Sequence, residues 1–288
     1  MFILSMNTLR RRLLAGCTAL LLFFTSLVVS SCDDLDGVIP FGPKPTIRIS
    51  TSPTLGPYLV DKDGNTLYYF AFDVAGTPNC TGACAARWPA FYDANPVVGK
   101  GLDSNDFATI TGSDGRLHTT YQGWPLYYFA PQATPESPNV REAPGATGGD
   151  NFGSVWFVTK PNYALRIARA TVTNKTTNQS SVKSFLVDSK ARTLYVFAPD
   201  RTSPTTQPNC IGPCANVWPS FFESGRVLPT ALSSNDFGTI TRPDGPNGTT
   251  RQQTIYKGVP LYYFVNDNAT RGKTEGEGIA NLWSVATP

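Results

Sequence analysis

Two cysteine pairs with the same spacing are the residues of this 288-residue chain whose chemistry is most open to prediction. Cys80 and Cys84 flank three residues, and Cys210 and Cys214 repeat that spacing further along the chain. Such thiols can close a local disulfide, bind a soft metal ion, or take part in redox exchange. A duplicated metal centre would need all of its ligands twice, yet His118 is the one histidine in the chain. We therefore predict two disulfides, each formed within its own pair.

Redox or copper chemistry is the alternative for these cysteines. Their spacing resembles the copper site of respiratory copper chaperones, and Pro213 is typical of a helix start, which would lower the thiol pKa of Cys214. The four cysteines could also share a zinc ion if the fold brought them together. Copper-chaperone sites use a histidine as well, and the second half of the chain has none. The prediction is therefore no bound metal and no cofactor.

A tyrosine and an aspartate form the second recurring pattern. The sequence Leu-Tyr-x-Phe occurs four times, and in three of these units an aspartate lies five positions after the tyrosine. An aspartate just past a strand end usually accepts backbone amides of the following turn, so a structural role is predicted. The alternative is a cation site, because Ca²⁺ prefers carboxylate and carbonyl oxygens. In the fourth unit, Gln132 replaces the aspartate after Tyr127. The three pairs are Tyr68 with Asp73, Tyr195 with Asp200, and Tyr262 with Asp267.

The sequence contains no catalytic constellation, and we predict that the protein is not an enzyme. The single histidine leaves one possible base for a serine–histidine–aspartate triad. The Gly-x-Ser-x-Gly, phosphate-loop and His-Glu-x-x-His motifs are absent. Hydrolysis by paired carboxylates stays open, because acids distant in sequence can meet in the fold.

The N-terminal segment resembles a bacterial lipoprotein signal peptide. Arg10 to Arg12 are followed by an apolar run, and small residues directly precede Cys32. The resemblance implies that residues 1–31 are removed and that Cys32 becomes a lipidated N-terminus carrying palmitate. Residues 32–45, first acidic and then rich in glycine and proline, would tether the fold to a membrane. An uncleaved transmembrane anchor is the alternative, because the apolar run is about long enough to span a bilayer.

Removal of the leader leaves a chain without net charge. Three of the 24 basic residues lie in the leader, whereas all 21 acidic residues lie after it. A nucleic-acid partner is excluded on this ground, since such proteins need a basic surface. We predict an oxidising location in the bacterial cell envelope, on the outer membrane and facing the periplasm or the exterior. The sequence does not identify the protein or small-molecule partner.

The second half of the chain repeats the first. The Asn-Cys-x-Gly-x-Cys-Ala motif recurs 130 positions later, as does the Trp-Pro that follows it. A repeat of this length is the size of a domain, and we place the copies at 46–160 and 163–288. Short aromatic and β-branched runs between turn residues predict antiparallel strands, with two related hairpin units in each copy. The predicted fold class is all-β, with at most a short helix after each cysteine pair, which Pro89 or Pro219 ends.

The aromatic residues are predicted to supply most of the core. Successive residues of a strand face opposite sides of a sheet, so Tyr68 and Tyr69 would point in opposite directions. Because both faces carry large side chains, we expect one row of tyrosines to be partly exposed. The repeat places tryptophans in equivalent positions, namely Trp88 with Trp218 and Trp156 with Trp283.

Taken together, these motifs resemble the secreted-repeat lipoprotein family, a group of exported bacterial proteins of unknown function marked by a Tyr-x4-Asp motif. The cysteine pairs, the Trp-Pro motif and the glycine-rich segment before the last tryptophan of each copy also resemble that family. The resemblance implies an exported repeat protein and brings no established activity.

Overall fold

Short antiparallel strands make up most of the regular structure, which confirms the all-β prediction. The computed structural model describes residues 43–133, 140–201, 207–225 and 227–288. The predicted signal peptide, Cys32 and nearly all of the predicted tether lie outside the described residues. Within the described part, no helix is long and apolar enough to cross a membrane.

The described residues of the first copy form three small sheets. A hairpin pairs β1 with β2, β3 pairs with β7, and β4, β5 and β6 form a three-stranded sheet. Strand β3 lies centrally, because Tyr68 also bridges Tyr127, which in turn bridges Ala90. The elements are β1 (Ile47–Ser52), β2 (Gly56–Asp61), β3 (Tyr68–Phe70), α1 (Ala83–Arg87), β4 (Phe107–Thr111), β5 (Leu117–Tyr121), β6 (Trp124–Pro125) and β7 (Trp156–Val158).

The second copy repeats this topology. Here β8 pairs with β9, β10 with β14, and β11, β12 and β13 form the three-stranded sheet. Tyr195 bridges Tyr262, which bridges Ser220, as in the first copy. The elements are β8 (Leu165–Thr173), β9 (Ser180–Asp188), β10 (Tyr195–Phe197), α2 (Pro213–Val217), β11 (Phe237–Arg242), β12 (Arg251–Tyr256), β13 (Val259–Pro260) and β14 (Trp283–Val285).

Each cysteine pair is followed by a short helix, as predicted. Helices α1 and α2 have five residues each and end just before the Trp-Pro motif. The residue before a proline is disfavoured in the α region, so Trp88 and Trp218 leave the helical conformation. The helices therefore lead directly into these two tryptophans, which are buried in the core.

The two copies share part of their hydrophobic core, although no sheet of the described chain combines strands of both. Residues 43–288 form one compact unit. The largest cluster of buried side chains unites Tyr69, Trp124 and Phe157 of the first copy with most of the core of the second. The division at residues 160–163 into independently folding domains stays a prediction.

In the first copy, this shared core corrects the expectation of a partly exposed tyrosine row. Tyr68 and Tyr69 are both fully buried. The side chain of Tyr68 faces the core of its own copy, whereas Tyr69 packs in the core that both copies form. The second face of β3 is therefore covered by the neighbouring copy rather than by water.

Candidate functional site

The two cysteine pairs form disulfides within their own copies, the pairing that the sequence predicts. The S–S distance is 2.01 Å for Cys80–Cys84 and 2.04 Å for Cys210–Cys214. In each loop a glycine has a φ of 57°, a left-handed conformation that suits glycine. Within the described ranges, no cluster of three or more histidine, cysteine, aspartate or glutamate residues could hold a metal ion.

The Tyr-x4-Asp residues pair across the two hairpin units of a copy rather than within one unit. In the second copy, the Tyr262 hydroxyl donates to Asp200 Oδ2 at 2.6 Å. The Tyr195 hydroxyl donates in turn to Asp267 Oδ2 at 2.7 Å. Each tyrosine therefore binds the aspartate of the other unit, and the two hydrogen bonds connect the strands on which the units lie.

In the first copy, the unit that lacks the aspartate obtains a carboxylate from elsewhere. The Tyr127 hydroxyl donates to Asp73 Oδ2 at 2.6 Å, as in the second copy. Tyr68 has Gln132 where its aspartate partner would be, and its hydroxyl donates instead to Glu142 Oε1. Sequence reasoning missed Glu142, and the only signal for it was the departure at Gln132.

These carboxylates also hold the loops that precede the disulfides and the glycine-rich segments. Asp73 Oδ1 accepts the backbone N–H of Asn79 at 2.8 Å, and Asp200 Oδ1 accepts that of Asn209 at 2.7 Å. Asp267 Oδ1 accepts the N–H of Glu275 at 2.9 Å. The aspartates thus accept backbone amides, as predicted, but from residues six to nine positions away rather than in the next turn.

Burial changes the acidity of these pairs. Desolvation raises the pKa of Asp73 to about 7 and that of Asp267 to about 6, although the hydrogen bonds from Tyr127 and Tyr195 oppose the rise. Desolvation and the neighbouring carboxylates raise the pKa of the tyrosines well above the ordinary value. Asp73 is fully buried, so the arrangement connects segments of chain inside the core.

A stack of aromatic rings lies beside each tyrosine–carboxylate pair. Trp88 stacks on Trp156 with 3.8 Å between ring centroids, and Trp218 stacks on Trp283 at 3.7 Å. The equivalence expected from the repeat is therefore present as the same contact in both copies. Phenylalanines extend both stacks, with Phe70 and Phe129 in the first copy and Phe197 and Phe264 in the second.

His118, the histidine that the copper alternative requires, lies on β5, where burial lowers the pKa of its imidazole. Its ring centroid is 5.1 Å from that of Tyr127. The equivalent position on β12 holds Gln253, whose side-chain amide donates to the carbonyl of Leu261 at 2.8 Å.

These features define a disulfide-bonded, all-β repeat protein whose repeated polar residues are buried. Three stretches, residues 50–91, 176–221 and 238–287, match the family model described as a secreted repeat of unknown function. The model thus matches three repeats of the chain, which confirms the resemblance predicted from the motifs. The unit with Tyr127 and Gln132 lies outside the matched stretches. No curated protein and no solved structure matches the chain.

The family description bears on location as well. The description of the family as secreted is consistent with a location outside the cytoplasm, in the envelope or the extracellular space. Disulfides persist in such oxidising compartments, so the two bridges agree with the same location.

Proposed function

We propose that this chain is a membrane-tethered lipoprotein of the bacterial envelope and acts as a non-enzymatic binding or structural module. The observation that supports this best is the burial of the repeated polar residues. The carboxylates that could act as acids, bases or metal ligands accept hydrogen bonds from buried tyrosines and loop amides. The repeat is thus a scaffold, and its surface is left for binding.

The lipid anchor is tested at Cys32. Cells expressing the full chain are labelled with an alkyne analogue of palmitate, and the Cys32→Ala variant is expected to lose the label because it lacks the acyl acceptor. Cys17→Ala is the matched control, since Cys17 lies in the leader and its removal leaves labelling unchanged. A Cys32→Ala protein that is labelled like the wild type would rule out the proposed anchor.

The binding role is tested in the native envelope. The full chain is cross-linked in intact cells, and a partner recovered with wild type is compared with that of a Cys32→Ala chain. A module that acts at the membrane loses its partner when the anchor is lost. Recovery of no partner from either chain would favour a purely structural role.

Redox or copper handling through the cysteine pairs is the second candidate. The outer cysteines, Cys84 and Cys214, are partly exposed, whereas Cys80 and Cys210 are buried. Titration of free thiols in the native and denatured protein distinguishes the candidates. Four blocked cysteines favour the scaffold, and free thiols that take up copper favour redox function.

A further inference from the structure

Two guanidinium groups of the second copy lie at the turn between β5 and β6 of the first. Arg166, on β8, is 1% exposed and donates from Nη2 to the side-chain oxygen of Gln122 at 2.6 Å. Arg271 donates from Nη1 to the main-chain carbonyl of the same residue at 3.1 Å. The two positive charges therefore lie close together where the copies meet, and their hydrogen bonds to Gln122 both go to neutral oxygens.

Neither arginine forms an ion pair within the described part of the chain. Burial lowers the pKa of both, and the charge of Asp188 opposes this effect only in part. The oxygens of Asp188 already accept hydrogen bonds from two backbone amides, from Arg192 and from Tyr263. A buried charge without a counter-charge is strongly destabilising, so the arginines indicate a negative group that the described chain does not supply.

The repeat shows how the charge of this arginine is compensated elsewhere. Arg48 occupies the position of Arg166 in the first copy. Its Nη2 lies 3.5 Å from the carbonyl of Lys62, and Arg166 Nη1 donates to the carbonyl of Ser189, the equivalent residue, at 2.8 Å. Arg48 is exposed, so water solvates its charge. At Arg166 the first copy displaces this water and provides only the neutral oxygen of Gln122 in its place.

Three buried nitrogen atoms of this region have no acceptor among the described residues. They are Nε and Nη2 of Arg271 and Nε1 of Trp124. The Trp124 ring centre lies 5.3 Å from the guanidinium carbon of Arg271 and 5.8 Å from that of Arg166. Nε and Nη2 form one edge of a guanidinium, which can bind two oxygens of an oxyanion at once. Buried N–H groups are normally paired, so these atoms indicate an acceptor with at least two oxygens.

Two glycines of the first copy flank the side chain of Arg271. A Cβ on Gly76 would lie 3.5 Å from Nε, and a Cβ on Gly123 would lie 2.9 Å from Nη1. Arg271 is partly exposed, whereas Arg166 and Trp124 are fully buried. An ion can therefore reach the unpaired edge from the surface after a small shift of the Arg271 side chain, which limits the ligand to a small one.

We propose that Arg271 and Arg166 bind a small oxyanion of the phosphate or sulfate type between the two copies. Two oxygens of the ion accept from Nε and Nη2 of Arg271, and the indole N–H of Trp124 donates a further hydrogen bond. Arg166 contributes its charge, because its Nη atoms already donate to Ser189 and Gln122. The bound ion neutralises two like charges at the contact between the copies and so stabilises that contact. This site is independent of the proposed membrane tether.

Inorganic phosphate is the probe for a test. The purified full chain, in a detergent that contains no phosphate, is titrated at constant ionic strength, and binding is followed by the broadening of the phosphate line in phosphorus NMR. An ion of this size is expected to bind with a Kd of roughly 1 mM. Sulfate should displace phosphate because it has the same tetrahedral oxygens, whereas chloride at equal concentration should not. Equal displacement by chloride would contradict the bidentate contact.

Four variants locate the binding. Arg271→Gln removes both the charge and the guanidinium edge and abolishes the broadening. Arg271→Lys keeps the charge but offers no such edge, so it weakens binding about five-fold. Trp124→Phe keeps an aromatic ring and removes the N–H, which weakens binding about three-fold. Arg48→Gln is the matched control, since it removes one positive charge at the equivalent exposed position and leaves binding unchanged.

Urea unfolding shows whether each variant is folded and gives a second readout. Phosphate should raise the urea midpoint of the wild type and of Arg48→Gln more than that of Arg271→Gln, because a ligand stabilises the form that binds it. If Arg271→Gln does not fold, Arg271→Lys and Trp124→Phe decide the outcome.

Three results would overturn the inference. They are a wild type that causes no broadening at roughly 10 mM phosphate, an Arg271→Lys variant that binds as tightly as the wild type, and an Arg48→Gln variant that loses binding as Arg271→Gln does. None of them bears on the lipid anchor, which the palmitate label measures separately.

Discussion

A buried carboxyl that titrates near neutral pH gives the fold a dependence on pH. Burial raises the pKa of Asp73 to about 7 from its ordinary 3.8, so between these values the folded chain holds a proton that the unfolded chain has released. The contribution of Asp73 to stability is therefore fully present below about pH 4 and is lost as the pH rises to about 7. Each unit of pKa difference corresponds to about 1.4 kcal/mol.

The Asp73→Asn variant tests this linkage. Asparagine keeps an oxygen for the Asn79 amide and offers an amide to Tyr127, but it does not titrate. Between pH 5 and pH 8, we expect the wild type to lose about 2 to 3 kcal/mol more unfolding free energy than the variant loses. Asp103→Asn is the control, since Asp103 is exposed and caps a turn through Asn105 in a way that asparagine preserves. Equal pH slopes for wild type and Asp73→Asn would contradict the raised pKa.

At the scale of elements, each disulfide holds a loop that a carboxylate also holds. Because the bridge closes a short loop, its removal should cost about 2 kcal/mol and leave the strands intact. The Cys80→Ser and Cys84→Ser double variant is expected to keep its circular dichroism spectrum and to unfold at lower urea. Peptide mapping without reduction should give bridges within each copy, and a peptide that joins the two copies would contradict the pairing.

The glycine-rich segment packs directly against the aromatic stack of the first copy. A Cβ on Gly149 would lie 2.9 Å from both Trp88 and Tyr68, which is closer than side chains tolerate. Gly149→Ala should therefore destabilise the protein by about 1 to 3 kcal/mol as measured by thermal unfolding. The neighbouring Gly148→Ala is a matched control, because its nearest contact would be an ordinary 3.4 Å from Glu142. The packing argument fails if the two variants have the same melting temperature.

At the scale of the whole molecule, the second copy forms its sheets from its own strands, but residues of the first copy make up part of its hydrophobic core. We expect residues 163–288 alone to fold cooperatively, because all their sheets are internal. Loss of Tyr69, Trp124 and Phe157 from the shared core should lower the stability below that of the full chain. Urea unfolding of both proteins gives the comparison, and a non-cooperative transition of residues 163–288 would contradict the two-domain division.

The sequence by itself determined the features that depend on spacing and local preference. These features are the repeat, the all-β class, the short helices before Pro89 and Pro219, and the pairing of cysteines four positions apart. Each of them follows from short motifs whose residues are close in sequence. Neighbouring residues meet in whatever fold surrounds them, so these features needed no knowledge of distant contacts.

Only the tertiary structure decided which distant segments meet. Tyr195 pairs with Asp267 rather than with the Asp200 of its own motif, Glu142 supplies the carboxylate that Gln132 does not, and the second copy covers Tyr69. Each of these contacts joins residues more than 70 positions apart or in different copies. These contacts depend on how whole hairpins pack against each other. The free energy of that packing comes from many core residues and not from any single motif.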